Sequence, residues 1–239
     1  LRNWIVEVDF LPHGQGIVFD GVVAGHSGLY RVAADGSGPP RMIQSTEGIN
    51  RYARSVATGP NTIRIGFAHE YWDPNLVQLN RASGVATPVA VSTQSEESPD
   101  LSVDGRLAFV SARAGMENVW VCPPGCRELR QITKFRERQF ELTPRWSPDG
   151  THLVLTSLSG GRTQLTIMGA SGEEPRILSE GTGEARPSWS SDGRHVYFQS
   201  DRGGRPEIWR IPASGEGSAV QVTRNGGIEA FESPGGQEL

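Results

Sequence analysis

Cysteine is scarce in this chain: two residues in 239. That excludes the dense disulfide framework of small secreted domains. It also excludes an all-cysteine structural zinc site, which wants four ligands. No apolar run approaches the ~18 residues that would cross a membrane as a helix. Positive charge is not in excess either; the formal net charge is −4, which gives no support to a basic nucleic-acid surface. No long segment repeats its apolar residues every 3.6 positions, so helix is hard to place anywhere. Phosphate loops, dinucleotide fingerprints and EF-hands are missing, and no cofactor is expected. The first residue is Leu1 rather than Met and no signal-peptide pattern follows, which reads as a piece excised from a longer polypeptide.

Glycine and proline are plentiful, at 30 and 16 residues. Such usage favours many turns and short strands. The turns repeat. Pro144-Arg145-Trp146-Ser147-Pro148-Asp149-Gly150 returns as Pro187-Ser188-Trp189-Ser190-Ser191-Asp192-Gly193, and Asp104-Gly105 marks an earlier copy. The Asp-Gly pairs are spaced by 45 and 43 residues. A step of 43 leads back to Asn61 and forward to Gly235, and a longer step of 48 leads from Asn61 back to His13. After each turn comes an apolar triplet, such as Leu107-Ala108-Phe109, Leu153-Val154-Leu155 or Val196-Tyr197-Phe198. A third strand (Val119 to Cys122, Leu165 to Met168, Ile208 to Ile211), a glycine turn and a fourth strand (Gln131 to Thr133, Ile177 to Ser179, Gln221 to Thr223) close each unit.

Four short strands joined by hairpins at this period predict an all-β fold, a β-propeller of four-stranded antiparallel blades. One such sheet cannot bury its two apolar faces alone, and neighbouring blades supply the cover. The spacing of the turns gives blades over approximately 4–44, 45–92, 93–133, 134–179 and 180–223. A partial blade follows at 224–239, and the whole forms a single domain. Five complete repeats and the start of a sixth predict a fragment of a six- or seven-bladed ring; a five-bladed ring is the alternative. An open arc would expose an apolar face and favour self-association.

The turn sequence Trp146-Ser147-Pro148-Asp149-Gly150, the run Ser200-Asp201-Arg202-Gly203-Gly204, Glu207 to Ile211 and the closing Gln221-Val222-Thr223 resemble the TolB-type, WD40-like (PD40) propeller repeat. The stretches 3–10 and 231–235 look most like the C-terminal propellers of CadC-like transcriptional regulators. The resemblance implies a non-catalytic binding module, the sensory or interaction part of a membrane-anchored regulator, on the periplasmic side. A periplasmic TolB-type interaction propeller, or the propeller of a prolyl-oligopeptidase-class peptidase or of a lyase, is the alternative. This piece should bind a protein or small-molecule ligand on a propeller face, and no nucleic acid.

Candidate residues follow from the repeat. Asp104, Asp149 and Asp192 read as turn formers, because Asp bonds local backbone and Gly tolerates positive φ. His152 and His195 occupy one repeat position rather than a metal site. Cys122 and Cys126 flank a hairpin turn and are either a disulfide, suited to an extracytoplasmic compartment, or two free thiols. Two loops combine aromatics with charge, the usual anchors of protein interfaces. The first holds Glu70, Tyr71 and Trp72; the second holds Arg136, Arg138 and Glu141. Glu96, Glu141 and Glu184 recur ahead of the inner strand, where they either ring a channel mouth or cap local backbone.

Overall fold

The computed structural model describes residues 5–11, 16–45, 51–58, 62–69, 75–80, 83–136, 139, 142–181, 183–233, 236 and 238–239. Among these, regular structure is entirely β. Twenty strands form five four-stranded antiparallel sheets, each built from consecutive strands. Sheet one holds β1 (Ile5–Phe10), β2 (Ile17–Val23), β3 (His26–Val32) and β4 (Arg41–Ser45). Sheet two holds β5 (Arg51–Thr58), β6 (Thr62–His69), β7 (Asn75–Asn80) and β8 (Ala86–Val89). Sheet three holds β9 (Glu96–Leu101), β10 (Leu107–Ser111), β11 (Asn118–Cys122) and β12 (Arg130–Gln131). Sheet four holds β13 (Arg145–Trp146), β14 (His152–Ser159), β15 (Arg162–Gly169) and β16 (Arg176–Gly181). Sheet five holds β17 (Ala185–Trp189), β18 (His195–Ser200), β19 (Glu207–Pro212) and β20 (Val220–Gln221).

First strands of successive sheets lie side by side: β1 with β5, β5 with β9, β9 with β13 and β13 with β17. The first strand is therefore the inner one, and the fourth is the outer edge. Because side chains alternate across a strand, each sheet feeds two cores. On β14, Leu153 and Leu155 join Ala108, Val110, Val119 and Val121 of the third sheet. Val154, between them, joins Val196, Phe198 and Ile211 of the fifth. Phe109 and Leu107 pack the other way, against Leu76 and Val89 of the second sheet. The apolar triplets after each turn are thus what binds blade to blade.

The turns are held as the repeat requires. In the fourth sheet the backbone N–H of Gly150 donates to Ser147 O, and Ser147 N–H donates to His152 O. Ser147 Oγ donates to Asp149 Oδ1 at 2.6 Å and accepts from His152 N–H at 2.9 Å. The fifth sheet repeats this with Ser190, Asp192, Gly193 and His195. Gly150 and Gly193 both sit at φ 70°, the left-handed region the turn demands. Asp149 is held down at about 2 by the Ser147 hydroxyl and then by Thr151; Asp104 reaches about 2 through Arg106 and Ser102. Asp192 is lowered by the Arg194 backbone N–H and the Ser190 hydroxyl.

Residues 224–239 differ from expectation. No strand forms among the described residues there. The sixth turn nevertheless does: Ser233 N–H donates to Glu238 O, Gly236 N–H to Ser233 O, and Glu238 N–H to Ser233 Oγ at 3.0 Å. The turn closes by local bonds, whereas a strand needs a neighbour to pair with. Two outer strands are also shorter than the sequence reads. Thr133 Oγ1 accepts from Val119 N–H, and Thr223 Oγ1 from Ile208 N–H, both at 2.9 Å. A side-chain oxygen takes the place of the next ladder carbonyl, so β12 and β20 stop at Gln131 and Gln221.

Candidate functional site at the propeller axis

The inner strands bring charged side chains from three repeats together. On β9 the Asp100 carboxylate Oδ2 accepts from the backbone N–H of Trp146 at 2.6 Å, which ties the third sheet to the fourth. Burial pushes the Asp100 carboxyl up to about 6, against the lowering pull of Arg145 and of the Trp146 N–H. Arg145, on β13, pairs with Glu229 at 3.5 Å; their side chains are 12% and 22% exposed. Arg186, on β17, approaches the same carboxylate at 3.9 Å and is more open. The Arg145 guanidinium lies 5.9 Å from the centre of the Phe231 ring. Ser188 Oγ donates to Ala230 O at 2.5 Å.

Residues 229–231 therefore run along the axis beside β17 although they form no strand. Arg186 stands at φ 50° in a register shift of β17, and Ser98 at φ 50° in one of β9. Such bulges re-aim side chains, and here they occur on inner strands four residues before the turn serine. The result is a partly open patch of two cations and two carboxylates beside an aromatic ring. Its chemistry is ionic recognition with an aromatic anchor.

Expected site residues fare differently. Glu70, Tyr71, Trp72, Arg138 and Glu141 lie outside the described residues. Arg136 is exposed and lies on the connection from sheet three to sheet four. Glu96 and Glu184 do not ring a channel mouth. Glu96 is fully buried; its Oε1 accepts from Arg113 at 3.0 Å and from Ser111 at 3.2 Å, and Arg113 also donates to Ala90 O of the preceding connection. Glu184 is 1% exposed and accepts from Arg202, which also donates to Ser179 Oγ of the fourth sheet. Each arginine lies over a Phe and a Trp of its own blade, Phe109 and Trp120 or Phe198 and Trp209, at 5.2–5.4 Å. These are inter-blade latches: a carboxylate this deep needs a cation partner, and the arginine supplies it. The sulfurs of Cys122 and Cys126 are joined across the turn, with Cα atoms 4.9 Å apart. Among the described residues no group of three or more His, Cys, Asp or Glu is placed to hold a metal ion.

The sequence reading missed Asp100, Arg145 and Arg186, because it followed the turns and not the residues beside Pro99, Pro144 and Pro187, and it missed Glu229, which precedes the sixth turn in a stretch that forms no strand. It also missed Arg113 and Arg202. Their signal was present, since Ser111-Ala112-Arg113 and Ser200-Asp201-Arg202 stand at matching repeat positions, each downstream of a Glu.

Comparisons with known proteins agree with this architecture. A TolB homolog of Chlorobium luteolum is 42% identical over 62 residues, 26% of this chain and 14% of that protein. TolB from Acinetobacter baumannii superposes with a TM-score of 0.79 at 18% identity, covering 94% of this chain and 56% of that one. A puromycin-hydrolysing peptidase of Mycobacterium tuberculosis gives a TM-score of 0.65 at 17% identity, over 93% of this chain and 38% of that one. The chain thus spans little more than half of the Acinetobacter protein and a small part of the Chlorobium one. The TolB beta propeller domain family (PD40) matches residues 85–239, well over half of the sequence, and the chain belongs to that family.

Proposed function

We propose that this chain is a single, non-catalytic TolB-type propeller domain that binds a protein partner at its axial end. One observation carries the reading: Arg145, Arg186 and Glu229, from three different repeats, converge beside Phe231 in a partly open ionic patch. Charge arranged this way favours a complementary partner and sets its orientation. Arginine and aromatic side chains are also the usual anchors of such contacts. The family supports the interaction reading, and the TolB homologs favour it over the transcriptional-regulator reading, which gains nothing from the comparisons. The likeness to a peptidase is a likeness of fold, and fold alone assigns no chemistry. The joined Cys122 and Cys126 suit an oxidising compartment.

The test is charge reversal. Tagged parent protein, Arg186→Glu and Arg162→Glu are each purified from the native host, and co-purifying proteins are quantified by mass spectrometry. A partner that is retained by the parent and by Arg162→Glu but lost with Arg186→Glu supports the axial site. Equal recovery from all three contradicts it.

A further inference from the structure

The junctions between blades three and four and between blades four and five are built on one frame, but only one of them is filled. At the first, Arg106 follows the turn of blade three. Its backbone N–H donates to Ser102 Oγ at 2.9 Å. Its guanidinium crosses to blade four, donating to Gly150 O at 2.6 Å and lying 4.6 Å from the centre of the Trp146 ring. Behind it, Nε donates to Asp104 at 2.9 Å. One arginine thus satisfies a carboxylate, a carbonyl and an indole face.

His152 holds the same position one blade on, since its N–H donates to Ser147 Oγ at 2.9 Å. The residue types that frame the two junctions match, although the turn of blade four is one residue longer. Trp189 stands for Trp146, Asp149 for Asp104, and Gly193 for Gly150. Val103 lies beside Gly150 as Pro148 lies beside Gly193. The cation differs, and so does the indole N–H, which is buried without a partner in Trp146 and donates to Arg145 O at 3.0 Å in Trp189. The His152 ring is turned onto its own loop, Nδ1 lying 2.7 Å from Thr151 Oγ1. Where Arg106 Nη2 would come within 3.1 Å of a Cβ on Gly150, nothing but Pro148 comes near Gly193. Among the described residues no guanidinium lies over Trp189, and Asp149 Oδ2 carries no hydrogen bond. An open cleft of about 350 Å³ remains, walled by Asp149, His152, Trp189, Asp192 and Gly193. Arg176 also borders it, with its Nη atoms committed to Ser214 O and Ala213 O.

We propose that this cleft receives the arginine side chain of a protein partner, whose guanidinium takes over Trp189, Asp149 and Gly193 O the place that Arg106 takes at the preceding junction. This rests on the interaction reading above and adds a second contact, on the face that carries the Asp-Gly turns. Guanidinium suits the site because it is planar, stacks on indole and forks toward carboxylate and carbonyl oxygen.

The full chain labelled with ¹⁵N provides the test, with the Trp189 indole signal assigned through Trp189→Phe. The probes are acetyl-Gly-Arg-Gly-amide, its neutral citrulline counterpart and ethylguanidinium. The arginine peptide is expected to shift the Trp189 signal saturably and citrulline to bind about tenfold more weakly or worse, since it loses both the cation–aromatic contact and the charge on Asp149. His152→Arg, which copies blade three, is expected to abolish the response. Asp149→Asn, a second variant that keeps an acceptor in the turn, is expected to weaken it several-fold. A Trp189 signal unmoved by the arginine peptide, equal binding of citrulline, or tighter binding of ethylguanidinium than of the peptide would overturn the proposal. Loss of this response with partner recovery still sensitive to Arg186→Glu removes the cleft alone; the converse removes the axial site alone.

Discussion

Arg113 and Glu96 form an ion pair of 3.0 Å in which the carboxylate is fully buried and the arginine side chain only 13% exposed. It joins the connection entering blade three to the strand that follows it, and Arg202 with Glu184 does the same for blade five. Removing one member of so deep a pair leaves a buried charge without compensation. Arg113→Leu is expected to cost about 3–5 kcal/mol of stability, read as a shift of the urea midpoint. The double variant Glu96→Leu, Arg113→Leu is expected to recover most of that loss, since no charge is then stranded. A single variant as stable as the parent would contradict the latch.

Acid should act on this fold in two opposite ways. The Asp100 carboxyl is raised to about 6 in the folded state, above its ordinary 3.8. Its contribution is therefore fully present below about pH 4 and is lost as pH rises through 6. Asp104 and Asp149 are lowered to about 2. What they contribute is present above about pH 4 and lost as pH falls through 2; both are well exposed, so solvent screens that effect. Unfolding by urea at a series of pH values should show stability rising from pH 7 to 4 and declining below it. Asp100→Asn should flatten the rise and leave the decline. A variant that follows the parent throughout would contradict the burial of Asp100.

The Cys122–Cys126 link closes a loop of only a few residues, so its effect on the unfolded chain is small. A loop of about five residues corresponds to about 2 kcal/mol. Reduction, or Cys122→Ser with Cys126→Ser, is expected to lower stability by about that much without loss of the β-sheet circular dichroism signal. Mass spectrometry after alkylation should find no label on the unfolded, unreduced chain and two labels after reduction. Label on the unreduced chain would contradict the link.

Much of this architecture was legible in the sequence, because its signals are local and repeated. Ser147, Asp149 and Gly150 form their turn from bonds within six residues; all of them recur at Ser190, and at Ser233 the backbone bonds and the N–H bond to the serine hydroxyl recur. Leu153, Val154 and Leu155 give the strand and its two faces by alternation alone. The ends of β12 and β20 were not legible, because they depend on where the Thr133 and Thr223 hydroxyls turn. Nor was the axial patch. Arg145 and Glu229 are far apart in sequence and meet only when the blades are arranged around a common centre. Glu96 showed the limit most clearly: its recurrence was visible, but its burial and its arginine partner were not. Cys122 and Cys126 left both pairing and free thiols open until their positions across the turn were seen.

The cleft and the axial patch both depend on the chain acting as an interaction module, and the axial patch is the more direct test of it. A photo-crosslinking amino acid is placed at Arg186 in the native host, and a matched probe at Arg162, whose side chain is 68% exposed away from the axis. The account predicts one discrete protein adduct from position 186, none from position 162, and loss of that adduct when Arg145 is changed to Glu. No adduct at 186, or the same adduct from both positions, would contradict it.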